Sequence, residues 1–95
     1  MSDKYIGNCY CYKERIGDGV CYLEIVESKQ FRFTKTWVAN AIRISETEVR
    51  FDIKSINPGL YAVSYLVPIT REEYNSVCKM AKNLINEAKK FIKEM

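Results

Sequence analysis

The chain has 95 residues and no histidine. That absence removes Ser-His-Asp and Cys-His catalysis, histidine-bearing zinc sites and histidine pH switching. Paired carboxylates and an activated nucleophile are missing as well. Gly17-Asp18-Gly19 is too short for a phosphate-cradling loop. These gaps lead to the expectation of a protein that is not an enzyme and carries no cofactor. No apolar run approaches membrane-spanning length, and the opening Met-Ser-Asp-Lys-Tyr-Ile-Gly lacks the apolar core of a signal peptide. A cytoplasmic location is the expectation that follows. The net charge is only +3, far from that of a DNA-wrapping protein, so nucleic-acid binding is allowed but not demanded.

Glycine and proline are also scarce, four and two residues, and none falls between 69 and 95. In that stretch every local signal points to an amphipathic helix. Thr70 is an N-cap, Thr70-Arg71-Glu72-Glu73 is a capping box, and Ile69 and Tyr74 form the hydrophobic staple around it. At roughly 100° per residue, Tyr74, Val77, Cys78, Ala81, Leu84, Ile85, Ala88, Phe91, Ile92 and Met95 share one stripe. Lys79, Lys82, Lys89, Lys90 and Lys93 share another. A segregated lysine face is either solvated or an electrostatic footprint for phosphates or an acidic partner.

Upstream, the pattern changes from helical to alternating. Tyr10 and Tyr12 oppose Cys9, Cys11 and Lys13, and Cys21, Leu23 and Ile25 oppose Val20, Tyr22 and Glu24. Gly17-Asp18-Gly19 signals a turn, and a hairpin closing on Asp18 would set Cys11 opposite Ile25 and Cys21 opposite Arg15. Polar Ser28-Lys29-Gln30 reads as the next turn, followed by strand residues from Phe31 through Trp37 to Ile44. Val49, Phe51 and Ile53 alternate with Arg50, Asp52 and Lys54, as in a half-buried strand. Asn57-Pro58-Gly59 turns again. Leu60 to Val67, apolar on both faces, reads as a strand that is central or covered by the helix and is stopped by Pro68.

Short connections make neighbouring strands antiparallel. The expected fold is α+β and a single domain, 1–95: a twisted antiparallel meander of five to six strands over 1–68, covered by one long helix over 69–95. A small half-closed barrel is the alternative.

Two constellations compete for function. Cys9-x-Cys11 with Cys21 and Cys78 suggests a metal, but on the expected register the thiols do not converge, and reduced buried cysteines are the favoured reading. Ten of the twelve aromatics precede the helix. Tyr10, Tyr12, Tyr22 and Trp37, with Arg32 and the lysines Lys79, Lys82, Lys89, Lys90 and Lys93, make a candidate binding surface. Such rings serve a protein interface, or else a stacking platform for single-stranded nucleic acid. A non-enzymatic module binding a protein partner or itself is the first reading, and a single-strand binder the second.

The opening Tyr5-Ile6-Gly7-Asn8-Cys9-Tyr10-Cys11-Tyr12 and the junction Pro68-Ile69-Thr70-Arg71-Glu72-Glu73-Tyr74 resemble segments of small proteins of gut bacteria and their phages. The resemblance covers about a fifth of the chain. It implies a phage-related structural or accessory role, in a bacterial cytoplasm or with a virion, and no catalytic residues.

Overall fold

The structure is a computed structural model that describes residues 6–14, 17–57 and 65–93, with the side chains of Phe31 and of residues 90–93 outside the description. Five strands, β1 (Cys9–Lys13), β2 (Val20–Phe31), β3 (Thr34–Ile44), β4 (Val49–Ile56) and β5 (Val67–Ile69), precede one helix, α1 (Arg71–Lys93). The strands form one open antiparallel sheet in the order β4-β3-β2-β1-β5. The α+β architecture read from the sequence is therefore present, and the barrel alternative is not. The first four strands are a meander. The fifth returns to the far edge, beside β1.

Each face of the sheet carries its own core. On one face, Cys9 and Ile42 pack against Tyr74 and Ala81 of α1, flanked by Tyr22, Ile44, Val49, Ile69, Val77 and Cys78. On the other, Cys21, Leu23, Ile25, Trp37, Ala39 and Ala41 are buried, with Tyr10, Tyr12, Ile56 and Leu66 against them. The small side chains of Ala39 and Ala41 matter here. They leave room for longer ones to arch over the strand, and the Lys54 ammonium on β4 donates to the Tyr12 hydroxyl on β1 at 2.6 Å. β4 and β1 are thus tied across the two strands between them, which requires the sheet to be strongly curled. Burial lifts the Tyr12 phenol above the ordinary tyrosine range, outweighing the lowering effect of that ammonium, so the hydroxyl stays protonated.

The helix starts where its cap dictates. The Glu73 N–H donates to Thr70 Oγ1 at 3.0 Å, and the Thr70 hydroxyl donates to Glu73 Oε1 at 3.2 Å. The Glu73 carboxylate meets the Thr70 side chain, where a capping box would use the Thr70 amide. Glu72 and Glu73 in the first turn face the positive end of the helix dipole. Arg71 fastens this turn to the sheet: it donates to Glu24 and to the Gly7 carbonyl, the latter at 2.7 Å. Tyr74 and Ala81 are buried, but Leu84 and Ala88 on the same stripe are exposed. The apolar stripe therefore outruns the sheet it covers.

Four sequence expectations need correction. The β1–β2 pairs sum to 33, setting Cys11 opposite Tyr22 and Cys21 opposite Tyr12. The loop closes on Glu14 and Gly19, whose backbone hydrogen bond is 2.9 Å, so Asp18 is not at its centre. Ser28-Lys29-Gln30 continues β2, and the turn is Arg32-Phe33 between the paired Phe31 and Thr34. Polarity there marks strands wet on both faces, not a reversal. Arg32 holds the left-handed φ of 57° that glycine or asparagine usually supplies. Last, Pro68 does not end a strand but lies within β5, opposite Tyr10. An edge strand tolerates it because one row of its backbone groups lacks a ladder partner. The strand expected at 60–67, central or covered by the helix, falls mostly outside the described residues, and its described end is this edge.

Past Ser28 and Trp37, where the pairing with β4 ends at Ile56, β2 and β3 run on beyond the other described strands as an arm tipped by Arg32 and Phe33. The radius of gyration, 15.1 Å, exceeds the about 12 Å expected of a compact domain of this length. The molecule is drawn out, and its extremities are surface.

Candidate docking site

The candidate binding surface expected from the sequence is divided by the fold. Trp37 is 2% exposed and belongs to the core. Tyr10 and Tyr12 pack on the same core, and Tyr22 is half-buried on the helix side. These four rings lie on opposite faces and are spent on packing, so they form no open stacking platform. Alternation in a strand shows that two faces differ, not that either is wet. Arg32 is exposed at the tip of the arm, and Lys79, Lys82 and Lys89 are exposed on α1. The side chains of Lys90 and Lys93 lie outside the described residues.

The cysteines split in the same way. Cys9 and Cys78 contribute to the helix-side core and Cys21 to the other, and all four are free thiols. Burial pushes the Cys9 and Cys21 thiols above the usual cysteine range, as expected of packed rather than reactive sulfur. Among the described residues no group of three His, Cys, Asp or Glu side chains is placed to hold a metal ion.

What the fold leaves open is the β4 edge. Among the described residues β4 pairs with β3 on one side and with nothing on the other. It is eight residues long with neither proline nor glycine. Its helix-side residues Val49, Phe51 and Ile53 were expected to be half-buried, yet Ile53 is 70% exposed and Phe51 41%. α1 reaches this strand as it does β2 and β3, and Val49 joins the core beneath it, but Ile53 and part of Phe51 stay open between helix and strand. Between them runs an open groove of about 470 Å³, with Phe51 and Ile53 on one wall and Tyr74, Cys78 and Lys82 on the other. The opposite edge differs. β5 has only three residues with Pro68 in the middle, two devices that discourage further strand pairing.

Charges border the β4 edge in an alternating row. Arg50 lies between Glu48 at 3.4 Å and Asp52 at 3.8 Å, all half exposed. Such pairs hold little energy in water and can be exchanged for others. Arg43 is anchored more firmly: it donates to both Glu14 oxygens, at 2.5 and 3.1 Å, and to Glu48 at 2.7 Å. The Arg43 guanidinium beside Glu14 holds that carboxyl below the usual carboxylate range. This cluster fixes the β1–β2 loop to the start of β4.

The Ile53 N–H donates to Asp52 Oδ1 at 2.8 Å. A backbone N–H satisfied by the carboxylate next to it points away from β3. By the alternation of a strand, the peptide groups of Val49 and Phe51 point outward with it. An outward row of donors and acceptors beside an exposed apolar strip can accept an added strand. The exposed Phe51 and Ile53 were within reach of sequence reading only as an amphipathic strand; how far they stay exposed depends on where the helix lands. No protein family, curated protein or solved structure matches the chain. No helix among the described residues is long and apolar enough to cross a membrane.

Proposed function

We infer that this protein is a non-enzymatic interaction module whose docking surface is the outer edge of β4 with its adjoining groove. The observation that carries the reading is Ile53, 70% exposed on a strand whose outer edge pairs with nothing among the described residues. An exposed aliphatic side chain beside unpaired backbone groups suits main-chain pairing with a protein strand, with side-chain pockets supplying selectivity. A structural or accessory subunit of a larger assembly is a role that such a module fills.

The second reading, single-stranded nucleic acid, draws support from the exposed Lys79, Lys82 and Lys89 and from Arg32 on the arm. Trp37 is buried and Tyr10, Tyr12 and Tyr22 are packed, which leaves Phe33, exposed beside Arg32 at the tip of the arm, as a ring open to stacking there. Electrostatic attachment alone would fall steeply with salt.

Position-specific photo-crosslinking in the native cell tests the first reading. A photoreactive phenylalanine analogue at Phe51 or Ile53 is expected to give a discrete protein adduct, and one at Ala88 on the helix to give none. Adducts to RNA or DNA, or protein adducts from Ala88 alone, would refute it. In parallel, a labelled oligonucleotide is expected to show no anisotropy change at physiological salt.

A further inference from the structure

We propose that the occupant of the β4 edge is a second copy of this chain, paired antiparallel through β4 with Phe51 on the two-fold axis, joining two sheets into one of ten strands. The proposal rests on the docking reading above and adds the partner and the register.

The register follows from the sequence of the edge. In an antiparallel pair of identical strands, opposed residue numbers have a constant sum, and a sum of 102 brings Phe51 to Phe51 of the other copy. Val49 then opposes Ile53, Arg50 opposes Asp52, and Glu48 opposes Lys54, each pair occurring twice by symmetry. From Glu48 to Lys54 every apolar residue meets an apolar one and every charge meets its opposite, while further out Ser55 meets Thr47 and Ile56 meets Glu46. Moving the axis to Asp52 would set Asp52 against Asp52 and Arg50 against Lys54, with like charges at both positions. Moving it to Ile53 would oppose Phe51 to Ser55 and Arg50 to Ile56. Of these three registers, the one on Phe51 alone matches both faces throughout residues 48–54.

The structure supplies the rest. Val49, Phe51 and Ile53 lie on the helix side, where Phe51 and Ile53 are exposed, and Arg50 and Asp52 lie on the other. The outward peptide groups of Val49, Phe51 and Ile53 would form about six main-chain hydrogen bonds between copies. Arg50 and Asp52 would then fall at the closely spaced positions, where side chains approach most nearly. The Asp52 carboxylate that now accepts from the Ile53 N–H would release it to the partner strand and turn to the partner's guanidinium. On the helix side the two grooves would meet along the axis, floored by both copies of Phe51 and Ile53. Glu48 and Lys54 are held by close hydrogen bonds within the chain, to Arg43 and Tyr12, whereas the ion pairs of Arg50 and Asp52 are longer and half exposed, so the selective charge pair is Arg50 with Asp52.

Sedimentation equilibrium of the full chain from micromolar to millimolar concentration tests this, with circular dichroism to confirm that each variant folds. The wild type is expected to dimerise reversibly. Arg50→Asp and Asp52→Arg, each placing like charges in opposition twice, are each expected to weaken the dimer by about tenfold or more. The double variant Arg50→Asp/Asp52→Arg restores complementarity and is expected to recover wild-type affinity. A monomer throughout the range overturns the proposal. So does a dimer indifferent to either reversal, or one that the double exchange fails to restore. A monomeric chain that still gives a discrete heterologous protein adduct from Ile53 would overturn the second copy as occupant and leave the docking reading standing. Loss of adducts as well would remove both.

Discussion

Replacing Trp37 by alanine is expected to cost about 3–5 kcal/mol of folding stability, the usual range for removing a fully buried aromatic. For a domain of this size that is a large share of the total and lowers Tm by about 15 °C or more. The reasoning is geometric. Trp37 is 2% exposed and packs with Cys21, Leu23, Ile25, Ala39 and Ala41, so truncation opens a cavity flanked by two alanines that cannot fill it. Urea unfolding followed by circular dichroism reads the loss. A Trp37→Ala protein of unchanged midpoint would return the ring to the surface and with it the stacking-platform reading.

The second large effect is on the helix. Ala81→Asp is expected to destabilise by on the order of 3 kcal/mol or more, because Ala81 is fully buried between α1 and the sheet and a carboxylate there has no partner. Ala88→Asp, seven residues on along the same stripe, is expected to cost no more than about 1 kcal/mol, since that position is exposed and only helix propensity is lost. Asp forfeits similar propensity at both sites, so the difference between the two urea midpoints isolates burial. Equal costs would mean that the sheet covers the whole stripe.

This contrast also shows where sequence reading stops. The helix and its first residue were legible, because the cap at Thr70 and Glu73 is a local device whose partners lie within one turn. The alternation of β1, β2 and β4 was legible too, since pleating imposes it on any strand. What reached beyond the local pattern was not. Ala81 and Ala88 share one periodicity and differ only in whether a sheet lies beneath them. The β1–β2 register missed by three because glycines mark a loop without marking its closing pair, which proved to be Glu14 and Gly19. The arm was hidden because its turn uses Arg32 in a conformation that sequence assigns to glycine, while its strands carry the polar residues expected of turns.

The candidate site shows the same limit. Tyr10, Tyr12, Tyr22 and Trp37 were chosen as a surface because they are aromatic and alternate with cations. Tyr10, Tyr12 and Trp37 turn into the core on the face where the curl of the sheet brings Lys54 to Tyr12, and Tyr22 packs on the helix side. Phe51 and Ile53 alternate as on a half-buried strand, yet they form the exposed strip, because the core under α1 takes in Val49 and leaves Ile53 and part of Phe51 open. Edges are a property of topology, and β5 pairs with β1 on the far side, which leaves β4 outermost among the described strands.

Residue-resolved amide hydrogen exchange in β4 tests the account most directly, measured on dilute protein and again on the associated form. In dilute protein the Phe51 and Ile53 amides are expected to exchange quickly, as outward groups of an edge, while the inward amides of Arg50 and Asp52 are slow. On association Phe51 and Ile53 are expected to slow markedly, with little change in the arm between Lys29 and Lys35. Phe51 and Ile53 amides already protected in the dilute monomer, or protection on association confined to the arm, would contradict the claim that β4 is the docking edge.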